Sequence, residues 1–174
     1  MLLKDDQEVV IRKAKKEDAQ AIIDFFNMAG GESDNLLFGE NEFGTTLEQE
    51  EQFIEKVADS NSAGLFIAFI DGEIASVANL SNPSRKRIAH TSDIGMAVIK
   101  KFWGIGVGSA MVETLIEFAK ASGQIEIIGL GVRVDNLAAQ RLYKKMGFVE
   151  IGCYPKFFKV ENEYYDSILM NLYL

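Results

Sequence analysis

The sequence predicts a mixed α/β fold in which one sheet carries helices on both faces. Short apolar runs with strand character alternate with segments of helical spacing, in the order strand, helix, strand, helix between residues 88 and 146. Because such an alternation joins parallel strands by a right-handed crossover, we expect one parallel pair there. Further strands on either side of this unit predict that the rest of the sheet is mixed and mostly antiparallel.

The elements of the first half follow from local patterns. Val9–Ile11 is a β-branched run, which is typical of a strand. Apolar residues then recur at helical spacing, and we expect Gly30-Gly31 to end that helix. An acidic loop follows, after which Thr45 or Thr46 can cap a second helix. Asp71-Gly72 is a hairpin signal between two apolar runs. The predicted elements are a strand at 9–11, helices at 15–27 and 46–59, and strands at 65–70 and 74–80.

In the second half, a long strand leads into a glycine-rich segment and a third helix. Ser122-Gly123 ends this helix, Gly147 closes the next one, and Glu161–Glu163 is a turn between the last two strands. The predicted elements are strands at 88–98 and 125–134, helices at 107–121 and 136–146, and a hairpin of strands at 148–158 and 164–173. Residues 1–174 are therefore expected to form one domain of about seven strands and four helices, in the order β-α-α-β-β-β-α-β-α-β-β.

Composition and charge argue against several classes of protein. The 174 residues are 48% hydrophobic and 25% charged, which is ordinary for a globular domain. A net charge of −8 argues against nucleic-acid binding, which needs a basic face, and no apolar segment approaches a membrane span. The single cysteine, Cys153, fits a reducing compartment, and the acidic start lacks the apolar run of a signal peptide. We expect a cytoplasmic protein with no nucleic-acid or membrane partner, and the oligomeric state stays open, with a homodimer as one option.

Residues 98–111 organise the rest of the chain. Gly104, Gly106 and Gly108 stand at alternate positions where a strand pattern gives way to a helical one. Since glycine lacks a Cβ and the N-terminus of a helix offers unpaired N–H groups, these features predict a cradle for a phosphate or pyrophosphate. A P-loop is excluded because no lysine follows Gly108, and the dinucleotide pattern fails because Ser109 replaces its third glycine. A glycine-rich turn without a ligand is the alternative.

A second informative stretch covers residues 132–148. Asn136 and Tyr143 are seven residues apart, close to two helical turns, so they share a helix face. Ala139 lies between them and is small enough to let a ligand pass close. The alternatives are that Asn136 is an ordinary N-cap and that Tyr143 is a half-buried aromatic residue of the core.

Taken together, the two stretches resemble the GNAT superfamily of N-acetyltransferases. The first has the pattern V-x-x-x-x-W-G-x-G-x-G and the second V-x-x-x-N-x-x-A-x-x-L-Y-x-K-x-G-F, each after a predicted strand. The resemblance implies a GNAT fold in which strands 4 and 5 are parallel and splay apart. Trp103 stands where the family usually has Gln or Arg, which removes one side-chain contact but leaves the backbone cradle.

The resemblance also implies acetyl-coenzyme A as the cosubstrate. The backbone of residues 96–98 would pair with the pantetheine arm, amides of residues 103–109 would hold the pyrophosphate, and Asn136 would contact the cofactor where strands 4 and 5 splay. Tyr143 matches the family's general acid, which protonates the leaving thiolate. The implied cofactor-binding residues are Met96, Ala97, Val98, Trp103, Gly104, Ile105, Gly106, Val107, Gly108, Ser109, Asn136, Ala139 and Tyr143. One cysteine and one histidine make a metal site improbable.

The acceptor amine must be neutral to attack the thioester. An alkylamine with a pKa near 10.4 faces a deprotonation cost of roughly 4–5 kcal/mol at pH 7, which a carboxylate base would reduce. Asp93 is the first candidate, because acids in that strand often serve this role in the family. Gly95 and Ala97, at alternate positions of the same strand, leave room for substrate on that face. The alternative is that Asp93 is an ordinary surface aspartate with no catalytic role.

Other titratable residues are weaker candidates for the base. Glu32, Glu40 and Glu42 lie in or beside the acidic loop, where they could act as base, attract a cationic substrate, or only be solvated. His90 is the only histidine, and as a lone residue at the start of a predicted strand it is more often structural.

Three functions remain open on the sequence alone. The first is N-acetylation of the primary amine of a small molecule, with a cationic amine as one option and with Tyr143 and Asp93 as catalytic residues. The second is acetylation of protein N-termini, as ribosomal-protein acetyltransferases of the superfamily perform. The third is a non-catalytic acyl-coenzyme-A sensor, which would need the loop but neither Tyr143 nor a base.

Overall fold

A seven-stranded sheet runs through the molecule in the order β1-β2-β3-β4-β5-β7-β6. The computed structural model describes residue 3 and residues 7–174, so most of the acidic start on which the signal-peptide expectation rests lies outside the described residues. The strands are β1 (Val9–Lys13), β2 (Gly64–Ile70), β3 (Glu73–Ser81), β4 (Thr91–Val98), β5 (Ile127–Arg133), β6 (Val149–Val160) and β7 (Glu163–Tyr173). The helices are α1 (Ala19–Glu32), α2 (Leu47–Ala58), α3 (Val107–Ala121) and α4 (Leu137–Lys145), and short 3₁₀ turns at Lys16–Asp18 and Lys100–Phe102 precede α1 and α3.

The predicted order of elements is confirmed, and local chemistry explains several boundaries. The Thr46 hydroxyl accepts a hydrogen bond from the Gln49 amide at 3.3 Å, while the Gln49 side chain accepts one from the Thr46 amide at 3.0 Å. This capping box starts α2. Asp71 and Gly72 both have positive φ, 50° and 81°, which is the geometry of a two-residue hairpin turn between β2 and β3.

The parallel pair is β4 with β5, and its pairing is short. The register runs from Thr91 opposite Ile127 to Asp93 opposite Gly129 and ends there. On its other side β4 stays paired with β3 as far as Val98. The last part of β4 therefore keeps one row of backbone groups that faces no strand, which is the splay that the resemblance implied.

The core covers both faces of the central strands. Successive side chains of a strand point to opposite faces, yet Leu65–Ala68 of β2 and Ala75–Ala78 of β3 are all buried. The sheet therefore has helices on both faces, as predicted. Phe118 of α3 packs edge-on against Phe66 of β2, with ring centroids 5.1 Å apart.

The prediction that Gly30 and Gly31 end the first helix is wrong, because α1 continues through both to Glu32. A Cβ on Gly30 would lie 2.2 Å from the carbonyl oxygen of Gly39, so glycine there lets the loop at 33–46 pack directly on the helix. Tertiary packing outweighs the cost of about 1 kcal/mol that a glycine adds inside a helix.

The fourth strand begins later than predicted. Residues 88–90 form a turn, and β4 starts at Thr91 rather than at Ile88. His90 therefore lies before the strand, where its backbone carbonyl accepts hydrogen bonds from Glu126 and Ile127 at 2.8 and 3.1 Å. The β-branched side chain of Ile88 favours a strand, but local turn bonds from Ile88 to Arg85 and from Thr91 to Ile88 decide the conformation. Among the described residues, no helix is long and apolar enough to cross a membrane.

Candidate active site

The glycine-rich loop between β4 and α3 has the geometry of an anion cradle. Gly104 and Gly106 have φ of 83° and 113°, and a Cβ on Gly104 would meet nothing within 4 Å. Gly106 directly precedes α3, and its carbonyl accepts the first helical hydrogen bond, from Ala110. The amides of residues 107–109 consequently have no helical partner and face outward at the positive end of the helix dipole.

The start of the loop is held in place from two sides. The Glu32 carboxylate, at the end of α1, accepts a hydrogen bond from the Lys100 amide at 2.6 Å. The Trp103 amide donates to the Lys100 carbonyl at 3.1 Å, which closes the 3₁₀ turn. The Trp103 amide is thus already hydrogen-bonded, whereas the turn does not use the glycine amides that follow, which can donate to a ligand.

Successive residues of β4 direct their backbone N–H and C=O groups alternately toward β3 and toward the open side of the splay. The Ala97 carbonyl accepts a hydrogen bond from the Ser76 hydroxyl of β3 at 2.7 Å. The Val98 carbonyl points the other way, because it accepts the indole N–H of Trp103 at 2.6 Å. Of the residues matched to a pantetheine-binding strand, Met96 and Val98 therefore turn their backbone toward the open side, and Ala97 turns its backbone toward β3.

The loop, the splayed end of β4 and the fourth helix meet at Gly108. A Cβ there would lie 3.2 Å from Leu142 of α4, 3.6 Å from Met96 and 3.9 Å from Val98. The first turn of α3 can approach both neighbours only because residue 108 is glycine. Residues from three separate parts of the sequence thus line one groove.

Helix α4, which meets Gly108 through Leu142, carries Asn136 at its N-cap and Tyr143 near its C-terminal end. The Asn136 side chain caps the helix by accepting from the Ala139 amide at 3.1 Å, and its amide nitrogen has no partner among the described residues. Tyr143 is buried against Phe148, with ring centroids 5.6 Å apart, and its hydroxyl bonds to none of the described residues. Burial raises the pKa of Tyr143 to about 12, so the phenol keeps its proton at neutral pH.

On one face of the sheet, three glycines form a depression that we call the glycine trough, defined by Gly95, Gly129 and Gly131. Polar side chains from neighbouring strands lean over each glycine. A Cβ on Gly129 would lie 2.7 Å from Asp93 Oδ1 and 3.3 Å from Asn171 Oδ1. A Cβ on Gly95 would lie 2.7 Å from Asn79 Oδ1, and one on Gly131 would lie 2.9 Å from Ser167 Oγ. The trough is therefore a polar surface beside the splay.

Arg133 lies at one end of the trough. Its guanidinium donates to both carboxylate oxygens of Asp135 at 2.6 and 2.8 Å and to the Asp34 carbonyl at 2.8 Å, and it stacks 4.0 Å above the Tyr165 ring. The hydrogen bond from Arg133 lowers the pKa of Asp135 and raises that of Arg133, so both stay charged at neutral pH. These contacts tie the loop at 33–46 to the end of β5.

A cleft of about 390 Å³ adjoins this end and includes Asp34. It lies between the loop at 33–46 and the tip of the β6–β7 hairpin. Its apolar lining residues include Leu36, Leu37 and Phe157.

The three glutamates considered as bases have different surroundings. Glu32 is committed to the Lys100 amide, and Glu42 accepts from the Gly39 amide at 2.9 Å. Glu40 is exposed and lines, with Glu32 and Asp24, an open cleft of about 470 Å³ at the C-terminal end of α1. That cleft includes no residue of the glycine-rich loop. Asp93, by contrast, lies in the trough beside the splay.

The described residues contain no group of three His, Cys, Asp or Glu side chains that could hold a metal ion. The sequence reasoning missed Asn79, Ser167 and Asn171, which only the register of four strands brings together. Gly129 and Gly131 inside an apolar strand were a usable signal, because a glycine within a strand often marks a close approach to that backbone.

Comparison with known proteins gives one family. The sequence model of the Acetyltransferase (GNAT) family matches residues 33–148, which is more than half of the chain. The matched span runs from the acidic loop through β4, the glycine-rich loop and α4.

Two curated relatives match almost end to end. The L-amino acid N-acetyltransferase AaaT of Escherichia coli (strain K12) is 29% identical over 168 residues, covering 94% of this chain and 96% of that protein. An N-alpha-acetyltransferase of Sulfurisphaera tokodaii is 28% identical over 181 residues, covering 96% of this chain and 94% of that protein.

A solved structure agrees closely in architecture. The crystal structure of a GNAT-family acetyltransferase from Streptococcus pneumoniae superposes with a TM-score of 0.92 at 33% identity, covering 96% of this chain and all of that one. The similarity extends over the sheet, the loop and the four helices alike.

Proposed function

Because the chain belongs to the Acetyltransferase (GNAT) family, whose acyl donor is acetyl-coenzyme A, we propose that it acetylates the primary amine of a small molecule by direct attack. The observation that carries this proposal is the groove at Gly108, where the outward amides of α3, the splayed edge of β4 and α4 meet. A diphosphate fits the positive helix end, and an extended amide-bearing arm fits a strand edge without a partner.

In this proposal the amides of residues 104–109 hold the pyrophosphate, and the open backbone of Met96 and Val98 pairs with the pantetheine arm. A Cβ on Gly104 would meet nothing within 4 Å, so this position leaves the space that a phosphate requires. The trough then receives the acceptor from the other side of the splay, so that amine and thioester meet beside Asp93.

Asp93 is proposed as the general base that takes a proton from the acceptor nitrogen. The neutral nitrogen attacks the acetyl carbon, and the resulting oxyanion is stabilised by outward N–H groups of the splayed strand. As the carbon–sulfur bond breaks, Tyr143 is proposed to donate its proton to the leaving sulfur, the nitrogen loses its surplus proton to water, and water returns a proton to the Tyr143 phenolate. The Tyr143 phenol carries its proton at neutral pH, as this role requires, while its pKa of about 12 makes the proton costly to release without assistance.

Release of free thiol from acetyl-coenzyme A tests the proposal. The amines to compare are free amino acids, polyamines and peptides with a free N-terminus. We expect thiol release with at least one small amine and a saturable change in the fluorescence of Trp103, the only tryptophan, on titration with coenzyme A. Thiol release only with peptides would favour acetylation of protein N-termini, a candidate supported by the name of the Sulfurisphaera tokodaii relative.

Binding of coenzyme A without thiol release on any amine would instead favour a sensor. The Tyr143 phenol, which bonds to none of the described residues, speaks against that function, since a binding module needs no acid. The homodimer stays a prediction, which the molecular mass in solution decides.

A further inference from the structure

Ser167 of β7 carries the one buried side-chain oxygen that lacks a hydrogen-bond partner within residue 3 and residues 7–174. The residue is 1% exposed, and its Oγ leans over Gly131 at the floor of the trough. Buried polar groups in folded proteins are almost always paired, so an unpaired hydroxyl points to a partner from outside the chain, which is a water or a ligand that displaces it.

We propose that Ser167 and Arg133 bind the α-carboxylate of the acceptor, which makes the substrate a free α-amino acid whose amine lies beside Asp93. The inference rests on the proposed function and specifies its substrate class. Ser167 is then a specificity-determining residue that donates its hydroxyl hydrogen to a carboxylate oxygen.

The spacing of the trough fits a molecule of this size. Gly129 and Gly131 are two residues apart in one strand, so their Cα atoms are separated by about 6.6 Å. Asp93 leans over the first glycine and Ser167 over the second. An α-amino acid has one carbon between its amine and its carboxylate, and a hydrogen bond of about 2.8 Å at each end lets it bridge these two side chains.

The free hydrogen-bond donors at the Ser167 end favour a carboxylate there. Arg133 is directly opposite Ser167 in the β5–β7 register, so both side chains are on the same face. Its contacts with Asp135 and the Asp34 carbonyl use three of the five guanidinium N–H groups, which leaves one on each terminal nitrogen free of described partners. A carboxylate in the trough can accept these together with the serine hydroxyl.

The cleft that begins at Asp34 gives the acceptor's side chain a place to extend. Its lining mixes apolar residues such as Leu36 and Phe157 with charged ones such as Glu42 and Lys159, so it does not favour one kind of side chain. The probes are therefore a panel of L-amino acids and their amides, in which each pair, such as L-leucine and L-leucinamide, differs only in the group that replaces the carboxylate.

The test compares Ser167→Ala with wild type for each member of the panel. We expect the variant to raise KM for the amino acid about tenfold, with kcat within about twofold, and to leave KM for the amide unchanged. Because the hydroxyl is unpaired in the free protein, its removal should also raise Tm, by about 2–4 °C. A residue with only a structural role would not lose substrate affinity while gaining stability.

Ser92→Ala is the matched control. Ser92 is also buried, but its hydroxyl donates to the Ser81 carbonyl at 2.9 Å, and its side chain points away from the trough. This variant should lower Tm and leave KM for the amino acid unchanged.

Three outcomes would overturn the inference while the proposed function stands. The first is activity on small amines but on no free amino acid. The second is a KM for the amino acid that does not change in Ser167→Ala. The third is an equal rise in KM for the amino acid and for its amide in that variant. Failure of the proposed function itself would be separate, since no amine of any class would then release thiol.

Discussion

The indole nitrogen of Trp103 lies 2.6 Å from the carbonyl oxygen of Val98, so the loop's tryptophan is hydrogen-bonded to the edge of the strand that precedes it. That carbonyl belongs to the row of β4 groups that faces the splay, where we propose that the pantetheine arm pairs. The indole is 46% exposed. If the arm pairs there as proposed, Trp103 and the cofactor compete for the same carbonyl.

We expect Trp103→Phe to bind coenzyme A about twofold to tenfold more tightly, because the substitution removes the competing donor and keeps an aromatic ring. Affinity for 3′-phosphoadenosine 5′-diphosphate, which lacks the pantetheine arm, should not change. Calorimetric titration of both ligands measures the difference, with Tyr164→Phe at an exposed hairpin site as the control. Weaker binding of coenzyme A would mean that the indole contacts the cofactor directly.

Tyr143→Phe should lower kcat by about 100-fold and leave the Kd of coenzyme A unchanged, because it removes one proton donor and little volume. Steady-state thiol release and calorimetry measure the two quantities. Tyr173→Phe, at a position 61% exposed, is the matched control and should keep full activity. An unchanged kcat would remove Tyr143 from the acid role.

The same tyrosine should make stability depend on pH in alkaline solution. Its pKa is raised by burial from 10.0 to about 12, so between these values the unfolded state loses the proton and the folded state keeps it. The contribution is complete below pH 10 and is lost as pH rises through about 12. The free energy of unfolding of wild type, measured by denaturant titration, should therefore fall by about 2–3 kcal/mol more than that of Tyr143→Phe over this range. Parallel curves for the two proteins would contradict it.

Asp93→Asn should slow acetyl transfer by about 100-fold at neutral pH, because the amine then loses its base. The rate of the variant should recover as pH approaches the pKa of the free amine, near 10.4 for an alkylamine, since the neutral amine needs no base. A pH–rate profile of kcat/KM tests this, with Asp71→Asn in the distant β2–β3 turn as the control. A variant profile identical to that of wild type would place the base elsewhere.

Gly129→Ala should raise the KM of the acceptor at least tenfold while coenzyme A still binds. The added Cβ would come within 2.7 Å of Asp93 Oδ1 and 3.3 Å of Asn171, and would push both side chains out of position. Gly152→Ala on β6 is the matched control, because a Cβ there would meet nothing within 4 Å. Equal effects of the two substitutions would mean that the trough is not the acceptor site.

Most of the fold could be predicted from the sequence because its elements have strong local signals. The capping box at Thr46, the Asp71-Gly72 turn and the phased stripe of α3 each depend on residues a few positions apart. One error occurred where a distant segment decides, because Gly30 continues α1 with the loop at Gly39 packed on it. The other is local, because the turn bonds from Ile88 to Arg85 and from Thr91 to Ile88 outweigh the strand propensity of Ile88.

The cofactor side of the candidate site could likewise be predicted, and its acceptor side only in part. Gly104, Gly106 and Gly108 are adjacent in sequence, so their pattern is readable without a fold. Asp93 was reached through the resemblance, whereas Ser167 and Asn171 carry no local pattern. They take part only because β7 pairs with β5 in one register.

The sequence by itself determined the element order, the glycine-rich loop and the two phased motifs, because helix periodicity, turn chemistry and glycine's missing Cβ act over short stretches of chain. Only the tertiary structure decided that Trp103 bonds to Val98, that Gly108 joins three elements, and that an unpaired serine leans over Gly131 beside a charged arginine. Those relationships depend on strand register and on helix packing across the sheet, where a shift of one residue would turn every side chain to the opposite face.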